Sequence, residues 1–199
     1  MNQLVNDASA RMIERIFFPS NTIIAGGILL LIYLRNEAII LNDVLAFTVA
    51  ILVFGVLLGL LDKAAIDKNK RYFAGALSAI LAFFVCYSLF ELSREMVEGG
   101  FCLLTISLFV YAVRPKWKVS VHMTVLVTVS AALSLLDWVF IPLILPTPLV
   151  IWAKLRMKAH TVAQLIVGGI VGLLVPLVIH SLFTNMVWIT LADGLMRQP

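Results

Sequence analysis

Seven stretches without a charged side chain punctuate the chain, at 16–34, 44–61, 72–90, 99–113, 119–136, 138–153 and 159–192. A helix needs about 20 apolar residues to cross roughly 30 Å of hydrocarbon, within a working range near 17 to 25. Four of the first six runs meet that length, whereas 99–113 and 138–153 need flanking residues or local bilayer thinning. The last run is too long for one span, so it is expected to form a helix from His160 to Leu182 with an interfacial tail behind it. Barrel strands are excluded, because they alternate apolar and polar positions over about ten residues and these runs do not. The expectation is a single all-α, polytopic transmembrane bundle over residues 1–199 with seven spans, or six if the pair between Lys118 and Lys154 is a re-entrant hairpin. Composition excludes a water-soluble globule: 62% of residues are hydrophobic and 13% charged, against about 45–50% and 25% in soluble domains.

Residues 1–21 lack the short apolar core and small-residue cleavage site of a signal peptide. Within 1–17, Leu4, Val5, Ala8, Met12, Ile16 and Phe17 fall near helical spacing with Arg11 and Arg15 elsewhere on the wheel. That pattern fits an amphipathic helix lying on a membrane surface, and equally a plain cytoplasmic lead-in. Cys86 and Cys102 both lie inside expected spans, which offers neither a disulfide framework nor a metal-ligand spacing. Charge alternates between connections. Arg11, Arg15, Lys63, Lys68, Lys70, Arg71, Arg114, Lys116, Lys118, Lys154, Arg156 and Lys158, 12 of the 15 cations, fall on one face. The positive-inside rule then puts the N-terminus and the basic loops in the cytoplasm, and an odd number of spans sends the C-terminus out. The bias persists, at 7 against 3, when the five cations Lys63, Lys70, Arg71, Lys118 and Lys154 are set aside as ligand-site candidates.

Three polar clusters border spans on this basic face: Lys63 to Arg71, Arg114 to His122, and Trp152 to Gly169. His122 and His160 stand at expected helix starts. Lys118 shares a face with His122 if the helix has begun there, and Gln164 lies one turn beyond His160, where it can orient the imidazole. Helix N-terminal amides and clustered cations both favour a phosphate. The matching chemistry is phosphoryl transfer, with one imidazole as nucleophile and the other as general acid. On spacing alone, a basic loop ending in an interfacial histidine, common on membrane proteins, is the favoured reading over a catalytic one.

The third cluster resembles the third signature of the type 2 phosphatidic acid phosphatase superfamily, integral-membrane lipid phosphatases whose pattern is SRxxxxxHxxxD. Aligned on His160, Lys154 stands where the family has Arg, Gln164 where it has Asp, and Gly168 on the usual glycine. HTVAQ is similar to a divergent prokaryotic branch in which HTxAQ is common. The second cluster resembles the PSGH signature through Ser120 and His122, with Val119 and Val121 replacing Pro and Gly. The first loosely resembles KxxxxxxRP through Lys63, Lys70 and Arg71. The likeness covers about residues 60–175. It implies His160 as the nucleophile that forms a phosphohistidine, and His122 as the acid that protonates the leaving oxygen and then helps activate water. Lys63, Lys70 or Arg71, Ser120 and Lys154 would hold the phosphate oxygens, with Arg156 a substitute for the missing guanidinium and Lys118 beside them. Neither metal nor cofactor is implied, and the acidic loop residues near the site are Asp62 and Asp67.

The expected function is therefore a lipid phosphate or diphosphate phosphatase of the phosphatidate or prenyl phosphate type, in a prokaryotic cell membrane. Its partners would be the lipid substrate and the bilayer, not nucleic acid. The alternative is an inactive relative that binds phosphate lipids; a transporter is disfavoured by apolar spans without interruption. The remaining polar residues read as structural. His180 would be an anchor at the opposite interface, Asp137 a helix cap, and Trp117, Trp138, Trp152 and Trp188 interfacial aromatics. Gly55 with Gly59, and Gly168 with Gly172, read as close-packing positions. Pro142, Pro146 and Pro148 should bend or break the sixth span.

Overall fold

The computed structural model describes the backbone of residues 2–36, 40–63, 68–113 and 116–196, and the side chains of 7–36, 40–57, 60, 75–113 and 116–185. Among these residues there is no strand. In chain order the helices are α1 (Asn2–Ile16), α2 (Pro19–Tyr33), α3 (Ile40–Lys63), α4 (Lys68–Leu89), α5 (Arg94–Val113) and α6 (Val121–Leu136). A 3-10 helix (Trp138–Ile144), α7 (Thr147–Arg156) and α8 (Val162–Met196) follow.

Four segments are long and apolar enough to cross a membrane: Ile40–Leu57, Arg94–Val113, Trp138–Arg156 and Val162–Asn185. The pair Asp7–Ile16 and Pro19–Tyr33, bent by 47°, makes a fifth candidate, and Gly75–Leu89 and Val121–Leu136 are apolar but shorter. The chain is thus an all-helical membrane protein with four to five candidate spans.

Prolines set several of the boundaries. Pro19 opens α2 at a position whose missing N–H costs nothing, and the chain turns between Ile16 and Pro19. The run 138–153 is divided as the sequence predicts, with Pro142 inside the 3-10 helix, Pro146 capping α7 and Pro148 in its first turn. Asp137 caps the 3-10 helix, its Oδ1 accepting the Val139 N–H at 3.0 Å. One boundary differs from expectation. α8 does not stop at Leu182 but continues to Met196, because nothing between 183 and 192 carries a charge or a proline that would end it.

α6 and α8 run parallel in close contact. A Cβ on Gly168 would meet the Ser120 carbonyl and Thr124, and one on Gly172 would meet the Thr124 carbonyl and Val127. α2 runs the same way, with Phe18 beside His122 and Leu30 packed on Leu133. α5 opposes α8, pairing Arg94 with Thr184 and Glu98 with His180. The starts of α2, α6 and α8 therefore share one end of the bundle, while the starts of α3 and α5 are tied at the other, where Asp43 Oδ1 accepts the Ser93 N–H at 2.9 Å. His180 is more than an anchor, since its Nδ1 lies 2.7 Å from the buried Glu98 carboxylate. Asp43 and Glu98 are buried near the beginnings of their helices, so the spans are not wholly free of acidic groups.

Gly55 departs from its expected role, for a Cβ there would meet nothing; Gly59 lies outside the described side chains. The two glycines make a direct test. In detergent thermal unfolding, Gly172→Val should lose about 1–3 kcal/mol by overpacking the α6–α8 contact, whereas Gly55→Ala should be neutral or slightly stabilising.

Candidate anion site at the α6–α7–α8 end

Three chain segments converge where α6 and α8 begin and α7 ends. Ser120 is the residue before α6, His122 is the second residue within it, and Lys154 and Arg156 sit in the last turn of α7. α7 closes through Lys158, whose φ of 51° is left-handed, and the Ala159 N–H reaches back to the Lys154 carbonyl at 3.0 Å. This reversal delivers His160 to the start of α8. Lys118 Nζ donates to the Ala159 carbonyl at 3.0 Å, and the Ser120 N–H faces the Gln164 carbonyl at 3.4 Å, so the α6 entry is laced to the α7–α8 turn. Lys118 precedes the helix and shares no helical face with His122.

Gln164 performs two tasks. Its Oε1 accepts the Thr161 N–H at 3.1 Å, while its own N–H faces Thr161 Oγ1 at 3.4 Å. This is the reciprocal capping box of a T-x-x-Q helix start. The same Oε1 lies 3.1 Å from His160 Nδ1. An amide oxygen only accepts, so Nδ1 carries the proton in this contact, and in the neutral ring the lone pair then falls on Nε2. The sequence-predicted orienting contact is present, and a neutral capping residue supplies it.

Lys154 is the most buried of the site's described cations, 2% exposed, and its Nζ is paired at 2.5 Å with Glu14 Oε1 of α1. Arg156 Nε pairs at 3.0 Å with Asp7 Oδ1 of the same helix. His122 packs edge-on against Phe18 with ring centroids 5.5 Å apart. It is close enough to Lys154, Glu14 and His160 for each to act on it electrostatically. Two polar atoms here have no hydrogen-bond partner among the described residues although both are buried: Ser120 Oγ and His122 Nε2.

Ser120, His122, Lys154, Arg156, His160 and Gln164 are thus gathered at one end, with Lys118 at the rim. The side chains of Lys63, Lys70 and Arg71 lie outside the described residues, as do those of Asp62 and Asp67. Sequence reasoning missed Asp7 and Glu14. They are the only acids in residues 1–17 and stand seven apart, two turns on one face, a signal overlooked in favour of the apolar positions. The docked face contains the fully buried Ala10, while Met12 and Ile16 are exposed. Cys86 and Cys102 are buried free thiols elsewhere in the bundle.

Compared with family models, curated proteins and solved structures, the chain matches none.

The ion pair is asymmetric, because the Glu14 side chain is 28% exposed and that of Lys154 only 2%. Removing the acid strands a buried cation; removing the cation leaves an acid that water can reach. Glu14→Ala should therefore cost about 3–5 kcal/mol, and Lys154→Met clearly less, in paired thermal unfolding of the purified protein.

Proposed function

We propose that this protein is a metal-independent lipid phosphate or diphosphate phosphatase acting through a phosphohistidine, with its site at the cytoplasmic leaflet. The observation that carries the reading is the pair of imidazoles at the N-terminal ends of two parallel helices beside a buried lysine. Both helix dipoles point their positive ends at the same place, which favours an anion. Lys154 and Ser120 would then meet phosphate oxygens as charge develops on them.

In this mechanism the Nε2 lone pair of His160 attacks phosphorus while the bond to the leaving oxygen breaks. His122 gives that oxygen a proton, so the first product leaves as an alcohol or a protonated phosphate. Water then attacks the phosphohistidine, His122 takes a proton from it, the P–N bond breaks and phosphate departs. Gln164 keeps the His160 proton on Nδ1 throughout. Family membership in the type 2 phosphatidic acid phosphatases rests on the motif likeness alone, and the substitution of Lys154 for the family's Arg removes the bidentate fork.

An apolar cavity of about 400 Å³ lies between α2, α3, α4, α5 and α6, and its walls include Ser20, Gly26, Phe47, Gly100 and Thr128. Ser20 is two residues from Phe18, which touches His122, so a hydrocarbon tail in this cavity would begin near the imidazoles. The volume falls within the usual range of ligand pockets. We read the shorter Gly75–Leu89 and Val121–Leu136 helices as further spans, which with the five candidates make seven. The N-terminus and the basic connections would then be cytoplasmic in a prokaryotic cell membrane.

Purified protein should release phosphate from phosphatidate, prenyl phosphate or prenyl diphosphate without added metal, and His160→Ala and His122→Ala should each abolish it. With radiolabelled substrate, an acid-labile label on the protein should vanish in His160→Ala. Absence of release above both variants on all three lipids would leave the second reading, a phosphate-lipid-binding relative without turnover. That reading is favoured by the carboxylates seated on Lys154 and Arg156. Orientation is checked independently: a membrane-impermeant thiol reagent added outside the cell should label Trp138→Cys and not Lys116→Cys, in a background where Cys86 and Cys102 are replaced.

A further inference from the structure

α1 presents two carboxylates to the site and nothing else that is charged. Asp7, Ala10 and Glu14 form the docked face, with Ala10 fully buried, whereas Arg11 and Arg15 point away and are exposed. Glu14 satisfies the buried Lys154 but leaves Ser120 Oγ and His122 Nε2 without partners. A carboxylate has two oxygens and one charge; the ion pair it makes lies near His122, and the buried Ser120 stands two residues before that imidazole. A terminal phosphate offers three free oxygens and about −1.5 to −2 charge at neutral pH, so it can meet Lys154, Ser120 and His122 together.

We infer that Glu14 is a specificity determinant of the anion site: its carboxylate occupies Lys154 until a terminal, doubly charged phosphate displaces it, and it thereby excludes phosphodiester headgroups. The inference rests on the lipid-phosphate reading of the site. A phosphodiester carries one charge and two free oxygens, the same as the carboxylate it must replace. It gains nothing in Coulomb energy and competes against a carboxylate already held in place on the docked α1 helix. A terminal phosphate gains a second charge against Lys154 and Arg156 and a third oxygen for the unpartnered atoms. Since most headgroups in a bilayer are phosphodiesters, an open lysine at this depth would be occupied by bulk lipid. Glu14 keeps it for the scarce monoester or diphosphate.

The test uses the full chain in detergent micelles with two readouts. The first is phosphate release from phosphatidate in the presence of excess phosphatidylglycerol, a phosphodiester. The second is the thermal shift produced by inorganic phosphate and, separately, by phosphatidylglycerol, which needs no turnover. In the unaltered protein phosphatidylglycerol should neither inhibit nor shift the melting temperature, while inorganic phosphate should raise it. In Glu14→Gln the half-saturating inorganic phosphate should fall about fivefold, and phosphatidylglycerol should become both a competitive inhibitor and a stabiliser. Glu14→Asp keeps the charge on a shorter arm and should lie between the two, which preserves the test if the Gln variant fails to fold. Weaker phosphate binding in either variant, or continued indifference to phosphatidylglycerol in both, overturns the inference. If no substrate is hydrolysed, the phosphatase reading falls while the thermal shifts still decide the role of Glu14.

Discussion

A lysine almost without solvent exposure is the constraint around which this end of the molecule is arranged. Stripping an ammonium of water costs several kcal/mol unless a counter-charge and hydrogen-bond acceptors replace the lost solvation. Lys154 sits in the last turn of α7, where the helix dipole already favours a cation, but the end of one helix cannot offset that loss alone. Glu14 supplies the rest. Because Glu14 belongs to α1, the requirement draws an amphipathic N-terminal helix onto α7 through Asp7, Ala10 and Glu14, leaving Met12 and Ile16 exposed toward the surroundings. The bend between α1 and α2 follows from the same demand, since α2 must turn away at Pro19 to run beside α6. A single buried charge thereby ties α1 to α7.

The second determinant is the parallel contact of α6 with α8. Gly168 and Gly172 remove the side chains that would keep the helices apart, so the Ser120 and Thr124 carbonyls lie directly against α8. Close approach of two parallel helices sums their N-terminal partial charges at one point, and Ser120, His122 and His160 stand there. It also explains why glutamine serves at 164. The T-x-x-Q box needs an acceptor for the Thr161 N–H, and the imidazole needs an acceptor for Nδ1–H; one amide oxygen meets both. A carboxylate would do so too, but it would bring a further negative charge to the end of the bundle that already holds Glu14 and Asp7.

Much of this was legible in the sequence because bilayers impose length. The charge-free runs coincide with α2 to α8, and the proline-rich run resolves into the broken 3-10 and α7 pair. Proximity along the chain also made the His160–Gln164 contact readable, since i to i+4 pairing is local. Glu14 was hidden for the opposite reason. It meets Lys154 across 140 residues, and no local periodicity encodes a partner that distant. The α1 apolar positions Met12 and Ile16 stay exposed, as a helix facing a membrane surface would leave them, while its charges Asp7 and Glu14 face protein. The overextended α8 and the open Gly55 show the same weakness, for a length rule and a glycine spacing say where packing is permitted rather than where it occurs.

The opposite end of the bundle has a comparable inventory and reads differently. Glu98 accepts from His180 and faces Arg94 at 3.9 Å, Arg94 reaches Thr184 at 3.1 Å, and Thr184 donates to the His180 carbonyl at 2.9 Å. Each member of that circuit is engaged by another, so it joins α5 to α8, although beside it the second oxygen of the buried Asp43, Oδ2, has no partner among the described residues. At the α6–α7–α8 end the ion pair consumes Lys154, but Ser120 Oγ and His122 Nε2 remain unsatisfied although buried. Buried polar atoms without partners are costly, and this end has two of them, two residues apart in the chain and near a buried cation, where the circuit at the other end has Asp43 Oδ2 beside it. The two clusters therefore differ in degree and in setting: at the α6–α7–α8 end the unpartnered atoms are a hydroxyl and an imidazole nitrogen where the N-terminal ends of two helices converge and partial positive charge gathers, and at the other the unpartnered oxygen belongs to an acid in the first turn of α3.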